Sequence, residues 1–296
     1  MHNQLQLREI FHIEFLRRLA GDLPPRLWEL KGGVNLRLFF KSIRYSEDMD
    51  LDVKTLPVDS LKKRVMRLLG SPSFIANLKT YGIREIKPPD MAKAKQTSTT
   101  QRFKIHLITS SGEDYFTKIE FSRRGFSGEP VAESVPANIL RPYGMTPFIV
   151  SHYPARDAAV QKVAAILSRS SLQPRDIFDL YFLSSQADVK TFRKPIFEKD
   201  GFLKASEYVK AAEFRMFNDM VVAGCIPLVS CVFPRSGKSS FMIAIRIVNL
   251  RQEGGILGKL CCSCIYLRRP KGWLFRFTWL AALPPVPLPA SIFTTV

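Results

Sequence analysis

The chain has 296 residues, 46% of them hydrophobic, and carries 44 Lys and Arg against 26 Asp and Glu. That apolar content excludes general disorder, and the absence of any persistent short period excludes a collagen-like or coiled-coil chain. The formal charge of +18 points to a polyanionic partner: nucleic acid, nucleotide or an anionic surface.

Leu7, Ile10, Phe11, Phe15 and Leu19 recur at helical steps, which predicts one apolar helix face ending at Gly21-Asp22-Leu23-Pro24-Pro25. Leu27 to Leu30 reads as a short buried strand. Gly32-Gly33 follows, and Val34 to Phe40 reads as a short helix. Glu47 to Val53 reads as a strand, with Met49, Leu51 and Val53 on one face and Asp48, Asp50 and Asp52 on the other. Leu56 to Leu78 has helical spacing broken at Gly70-Ser71-Pro72, and residues 87–101 are polar and turn-rich, as in a loop. Phe103, Ile105 and Leu107 alternate, as do Tyr115, Thr117, Ile119 and Phe121. They flank Ser110-Ser111-Gly112-Glu113-Asp114, which predicts a hairpin. Helical spacing returns from Arg156 to Arg169, after Pro174, and from Glu207 to Val222.

Composition breaks sharply near residue 224. Residues 1–224 hold 35 basic and 25 acidic residues; residues 225–296 hold nine basic residues and one acid, Glu253. All five cysteines lie after residue 224, so they do not staple the rest of the chain, which fits a reducing cytoplasm. Cys261, Cys262 and Cys264 lack the histidine or spaced cysteine pair that a tetrahedral zinc site needs. Ser236-Gly237-Lys238-Ser239 imitates the end of a phosphate loop, but Val232 stands where its first glycine belongs. Arg8 and Glu14 interrupt any leader-like run, and no stretch is long and apolar enough to span a bilayer.

Asp48-Met49-Asp50 carries the chemistry. On a strand, alternate residues point the same way, so two carboxylates lie close and repel unless a cation sits between them. Oxygen donors of this kind suit Mg²⁺, which completes its shell with water and phosphate oxygens. An exposed acidic strand face is the competing reading of a lone Asp-x-Asp. Lys31-Gly32-Gly33 stands at a strand-to-helix junction, where backbone N–H groups are free to meet phosphate. Glu120 lies on the same strand face as Lys118 and Phe116.

Leu30-Lys31-Gly32-Gly33, Leu36-Arg37-Leu38 and Arg44-Tyr45-Ser46-Glu47-Asp48-Met49-Asp50-Leu51 resemble the AbiEii/AbiGii toxin family of the DNA polymerase β-like nucleotidyltransferase superfamily. Gln161-Lys162-Val163-Ala164-Ala165 and Arg175-Asp176-Ile177-Phe178-Asp179-Leu180 are similar to that family's downstream Lys and Arg-Asp-x-x-Asp-Leu helix. The resemblance covers about residues 1–185. It implies an α/β fold: a mixed nucleotidyltransferase sheet with flanking helices, followed by a helical C-terminal part. The expected division is a core at 1–150, a helical part at 151–224 and a basic, Cys/Pro-rich tail at 225–296.

The resemblance also implies Mg²⁺-dependent transfer of a nucleotide from an NTP by a cytoplasmic toxin of a toxin–antitoxin or abortive-infection system, with a cognate antitoxin and tRNA as acceptor. Gly32 and Gly33 would hold the triphosphate. Asp48, Asp50 and Glu120 would bind the metal. Lys162 would neutralise phosphate, and Asp176 would position or activate the acceptor, with Asp179 helping. Arg44 would contact phosphate or pair with Glu47. Val34 departs from the family's usual Thr or Ser, and Ser46 is placed to replace that hydroxyl. Asp176 also suits a plain helix-dipole role, and Lys162 a solvated helix face. The alternatives are an inactive relative that binds RNA or antitoxin, and a transferase acting on a small molecule or protein hydroxyl. The tail matches nothing in the family. Replacement of the native C-terminus by a frameshift or misassembly near residue 220 would account for its composition; a basic RNA- or membrane-surface-binding extension is the other reading.

Overall fold

The computed structural model describes residues 2–171, 173–184 and 186, and three short strands, Ser240–Ile243, Ile265–Arg268 and Leu274–Arg276, which pair as an antiparallel sheet. The helix expected over Glu207 to Val222 and the rest of the tail lie outside the described residues.

The chain opens with helix α1 (Gln4–Asp22), started by a capping box in which Asn3 and Gln6 exchange side-chain-to-backbone hydrogen bonds of 2.9 and 3.0 Å. Strand β1 (Trp28–Lys31) runs into helix α2 (Gly32–Phe39), then strand β2 (Asp48–Val53). Helices α3 (Val58–Leu69) and α4 (Pro72–Lys79) follow, split where the Gly-Ser-Pro break predicts. Next come β3 (Ile83–Lys87), β4 (Thr100–Thr109), β5 (Asp114–Ser122) and β6 (Val131–Ser134). The short helix α5 (Ala137–Leu140), strand β7 (Ile149–His152) and helices α6 (Ala155–Ser168) and α7 (Pro174–Ser184) complete this part.

Seven strands form one mixed sheet in the order β3-β4-β5-β2-β1-β7-β6. The expected α/β architecture with flanking helices is therefore present. Strand β2 pairs antiparallel with β1 and parallel with β5. The parallel pairing requires a long crossover, which α3, α4, β3 and β4 supply.

Alternation sorts the sheet into two faces. Trp28, Leu30, Met49, Leu51, Phe103, Ile105, Ile119 and Phe121 are buried on one side. Helix α1 covers them with Ile10, Phe11, Ile13, Phe15 and Leu16, all fully buried, and Phe11 meets Phe74 of α4 at a ring separation of 6.0 Å. Each such aromatic or aliphatic side chain contributes roughly 1.5–3 kcal/mol by leaving water. The opposite face carries Asp48, Asp50, Lys118 and Glu120. A separate small cluster, Leu36, Ala158, Ala159 and Leu183, fastens α6 and α7 to α2.

Strands β3, β6 and β7 are additions to the sequence reading. Strand β3 is bulged between Ile83 and Glu85, which breaks its alternation. Strand β6 is an exposed edge, and β7 buries the polar Ser151 and His152.

Candidate active site

Strand β2 presents Asp48 and Asp50 on one side because its other side must feed Met49 and Leu51 to the core. Its register with β5 sets Lys118 beside Asp48 and Glu120 beside Asp50. The three carboxyl residues named from the sequence thus share one sheet face, each in a different setting. Asp48 is paired with Lys118 Nζ at 2.9 Å. Glu120 is held from β4 by Arg102, whose Nη2 lies 2.7 Å away. Asp50 accepts no hydrogen bond and forms no ion pair among the described residues. Burial raises its carboxyl above the ordinary range; Lys118 and Lys31 offset this in part, and Glu120 and Asp48 add to it. Asp52, the next acid on this face, is committed elsewhere: Lys31 pairs with it and the Tyr153 hydroxyl donates to it at 2.7 Å.

The donor set fits a hard divalent cation. Two half-buried carboxylates stand side by side, one of them unpartnered, with a third near the pair. Among the described residues, no three or more His, Cys, Asp or Glu side chains gather as a metal cage. Mg²⁺ does not require one, since it is ordinarily held by one or two carboxylates plus substrate oxygens.

Gly32 closes the site from the β1 side. Its φ is +68°, and a Cβ there would sit 2.7 Å from Asp50 Oδ2. Both conformation and space demand glycine at this position. Gly33 is equally confined: a Cβ would lie 2.6 Å from Ser46 Oγ and 3.2 Å from Arg44 Nη2. The two glycines begin α2, and no side chain caps that helix start. Its first N–H groups are free of an intrahelical partner, as at any helix start. Ser46 stands next to them, with its proton given to the Asp48 carbonyl at 2.7 Å.

Lys162, Asp176, Asp179 and Arg44 come together in a second cluster. Lys162 Nζ lies 3.1 Å from Asp176 and 2.6 Å from Asp179. Arg44 Nη2 reaches both Asp179 oxygens, at 3.0 and 2.9 Å. Arg169 pairs with Asp176 at 2.9 Å. Asp179 is fully buried. Burial alone would raise its carboxyl, but Lys162 and Arg44 outweigh that and hold it below the ordinary range. Arg44 was expected to contact phosphate or pair with Glu47; it pairs with Asp179 and not with Glu47. Glu47 faces Arg8 at 3.8 Å. The Arg44 guanidinium also borders Gly33, so it connects this cluster to the glycine turn.

Lys118, Arg102 and Arg169 are site residues not named from the sequence as such. Lys118 was legible, because it alternates with Glu120 on one strand face. Arg102 depends on the hairpin register and Arg169 on a helix-to-helix contact, neither of which spacing reveals.

Residues 14–215 match the family described as nucleotidyl transferase AbiEii toxin, type IV TA system, over more than half of the chain. Among solved structures, JHP933 from Helicobacter pylori is 21% identical, with 76% of this chain and 79% of that chain covered and a TM-score of 0.45. MenT4, a nucleotidyltransferase toxin from Mycobacterium tuberculosis, is 17% identical, with 76% and 69% covered and a TM-score of 0.48. A comparison with curated proteins found no match. Among the described residues, no helix is long and apolar enough to cross a membrane.

Proposed function

The chain belongs to the AbiEii nucleotidyl transferase toxin family of type IV toxin–antitoxin systems, and we propose that it transfers a nucleotide from an NTP to an RNA acceptor, with tRNA as the first candidate. The observation that carries this reading is the unpartnered Asp50 carboxylate, flanked by Asp48 and lying against Gly32.

Asp48 and Asp50 are the proposed Mg²⁺ ligands. When bound, the metal supplies charge neutralisation at the phosphate under attack and at the departing pyrophosphate. Gly32 and Gly33 let the α2 backbone approach the triphosphate closely, and their N–H groups donate to its oxygens. Ser46 adds a hydroxyl oxygen beside Gly33. Lys118 holds Asp48 in place until a stronger cation competes for it. Glu120 serves as a third oxygen ligand only if it leaves Arg102, and otherwise orients the acceptor side. Lys162 and Arg44 set a positive potential near the glycine turn while neutralising Asp179. Asp176 is buried with Lys162 and Arg169, which supports a role in holding the acceptor side of the cleft.

The positive charge of residues 1–224 favours a polyanionic acceptor. A cognate antitoxin, a cytoplasmic setting and the division at residues 150 and 224 belong to the same proposal. Purified protein incubated with each labelled NTP, Mg²⁺ and total tRNA tests it. Label in RNA that disappears in Asp48→Ala supports the reading. RNA binding without label transfer would overturn it in favour of an inactive RNA-binding relative.

A further inference from the structure

The acidic sheet face does not stop at the carboxylates. Phe116, Lys118 and Glu120 alternate on β5, so all three point to the side of Asp48 and Asp50. Phe116 is 40% exposed, one of two large hydrophobic side chains so placed among the described residues. Antiparallel pairing sets His106 of β4 directly opposite it. The two rings meet edge to face, with centroids 5.4 Å apart at 67°. His106 Nδ1 lies 2.8 Å from Asp114 Oδ1, which steadies the imidazole. Beneath the phenyl ring, Arg8 Nε donates to the Phe116 carbonyl at 2.9 Å, which fixes the backbone. One rung nearer the carboxylates, exposed Lys104 stands opposite Lys118. Phe116 is about 7 Å along β5 from Lys118, and Lys118 is the residue paired with Asp48.

Core packing does not explain an exposed phenyl ring on a charged face. A single ring bordered by cations is also too small an apolar patch for a protein partner. An exposed aromatic ring beside lysines matches a nucleobase and its phosphate. Two nucleobases are available to such a site, that of the NTP and that of the acceptor. Gly32, proposed to cradle the triphosphate, lies on the β1 side of Asp50, whereas Phe116 and His106 lie across β2 on the β5 and β4 side. Attacking and leaving oxygens lie roughly in line in phosphoryl transfer. The acceptor therefore approaches from the side away from the departing pyrophosphate.

We infer that Phe116 and His106 form a stacking platform for the terminal nucleobase of a single-stranded RNA acceptor, with Lys104 beside its phosphate. This rests on the RNA-directed reading of the carboxylate site, and the test separates the two. Full-length wild type, Phe116→Ala, Phe116→Trp and His106→Ala are compared. A short 5′-fluorescein-labelled single-stranded RNA reports binding by anisotropy, and labelled NTP with total tRNA reports transfer.

Phe116→Ala is expected to weaken RNA binding and raise the KM for tRNA about tenfold, as for one lost stacked base. The KM for NTP and kcat stay unchanged. Phe116→Trp keeps RNA affinity, and RNA quenches its added fluorescence while NTP alone does not. Unchanged RNA binding in Phe116→Ala overturns the platform. So does quenching by NTP alone, which assigns the ring to the nucleotide base. So does an equal loss in Phe116→Trp, which makes the position merely intolerant of change. If wild type binds RNA through Phe116 but transfers no label, the transfer reading fails and the platform stands. If wild type labels tRNA and Phe116→Ala is indistinguishable from it, the platform fails and the transfer reading stands.

Discussion

Two clusters of charge lie near the glycine turn, built from the same residue types in opposite conditions. On the sheet face, Asp48 and Glu120 each have one cationic partner, Asp50 has none among the described residues, and all three reach water. Beneath α6 and α7, Asp176 and Asp179 are buried and share Lys162, Arg44 and Arg169. A buried carboxylate left without a partner is strongly destabilising, so the second cluster must be closed on itself to exist at all. The first is left incomplete where solvent softens the repulsion, which leaves room for a cation that the chain does not itself supply. Incompleteness suits the proposed metal site, and completeness suits a joint that holds the helices against it.

That contrast predicts opposite responses to similar substitutions. Asp50→Asn should lower nucleotide transfer by about 10³-fold, on the scale of losing a principal electrostatic contact in a transition state. Its urea-unfolding midpoint should stay level or rise, because a crowded carboxylate is removed. A fall in stability matching the fall in activity would erase the distinction. Asp179→Asn should do the reverse, costing about 3–5 kcal/mol of unfolding free energy as Arg44 and Lys162 lose their shared partner. Equilibrium denaturation measures it, and a loss below about 1 kcal/mol would place this cluster among weak surface pairs.

Glu29 is the borderline case: it lies next to Asp52 on the acidic face but is closed off, with Ser151 donating to it at 2.7 Å. Burial pushes its carboxyl from 4.5 up to about 7; the Ser151 hydrogen bond lowers it in part, and Asp52 adds to the rise. The folded chain therefore keeps this proton longer than the unfolded chain. Stability attributable to Glu29 is complete below the unfolded value of 4.5, declines as pH rises to about 7, and is level above that. Glu29→Gln should flatten this slope and stabilise the protein by about 2 kcal/mol above neutrality, as read from thermal unfolding across pH. Gly32→Ala should cost folding about 1 kcal/mol for the left-handed backbone. Transfer should still fall roughly tenfold as Asp50 is displaced, an effect on the scale of a misplaced reacting group. Unchanged transfer would detach the glycine from the site.

The acidic strand was readable because its apolar residues keep to one face: Met49, Leu51 and Val53 alternate with Asp48, Asp50 and Asp52, although Asp52 is itself buried. The β4–β5 hairpin was readable for the same reason. Strand β3 was not, because its bulge disturbs the alternation, and β7 was not, because Ser151 and His152 are buried polar residues that imitate a surface. Gly32 announced a turn, but its contact with Asp50 depends on how β1 pairs with β2. The partner of Arg44 was beyond reach of spacing: Glu47 is close in sequence, whereas Asp179 is brought in by the packing of α7. Local alternation shows which side of an element is buried; it does not show which distant element completes a charge.

The parallel pairing of β2 with β5 also governs when the proposed site is assembled during synthesis. The Thr117 hydroxyl donates to the Glu47 carbonyl across 70 positions of sequence, and Arg44 meets Asp179 across 135. Contacts this distant form late, after the intervening chain has been made and its loops closed. A ribosome that has delivered β2 has delivered both aspartates but not the strand that sets Lys118 and Glu120 beside them, nor the helix that neutralises Arg44. The proposed site is thus incomplete in the nascent chain until the far end of the fold arrives.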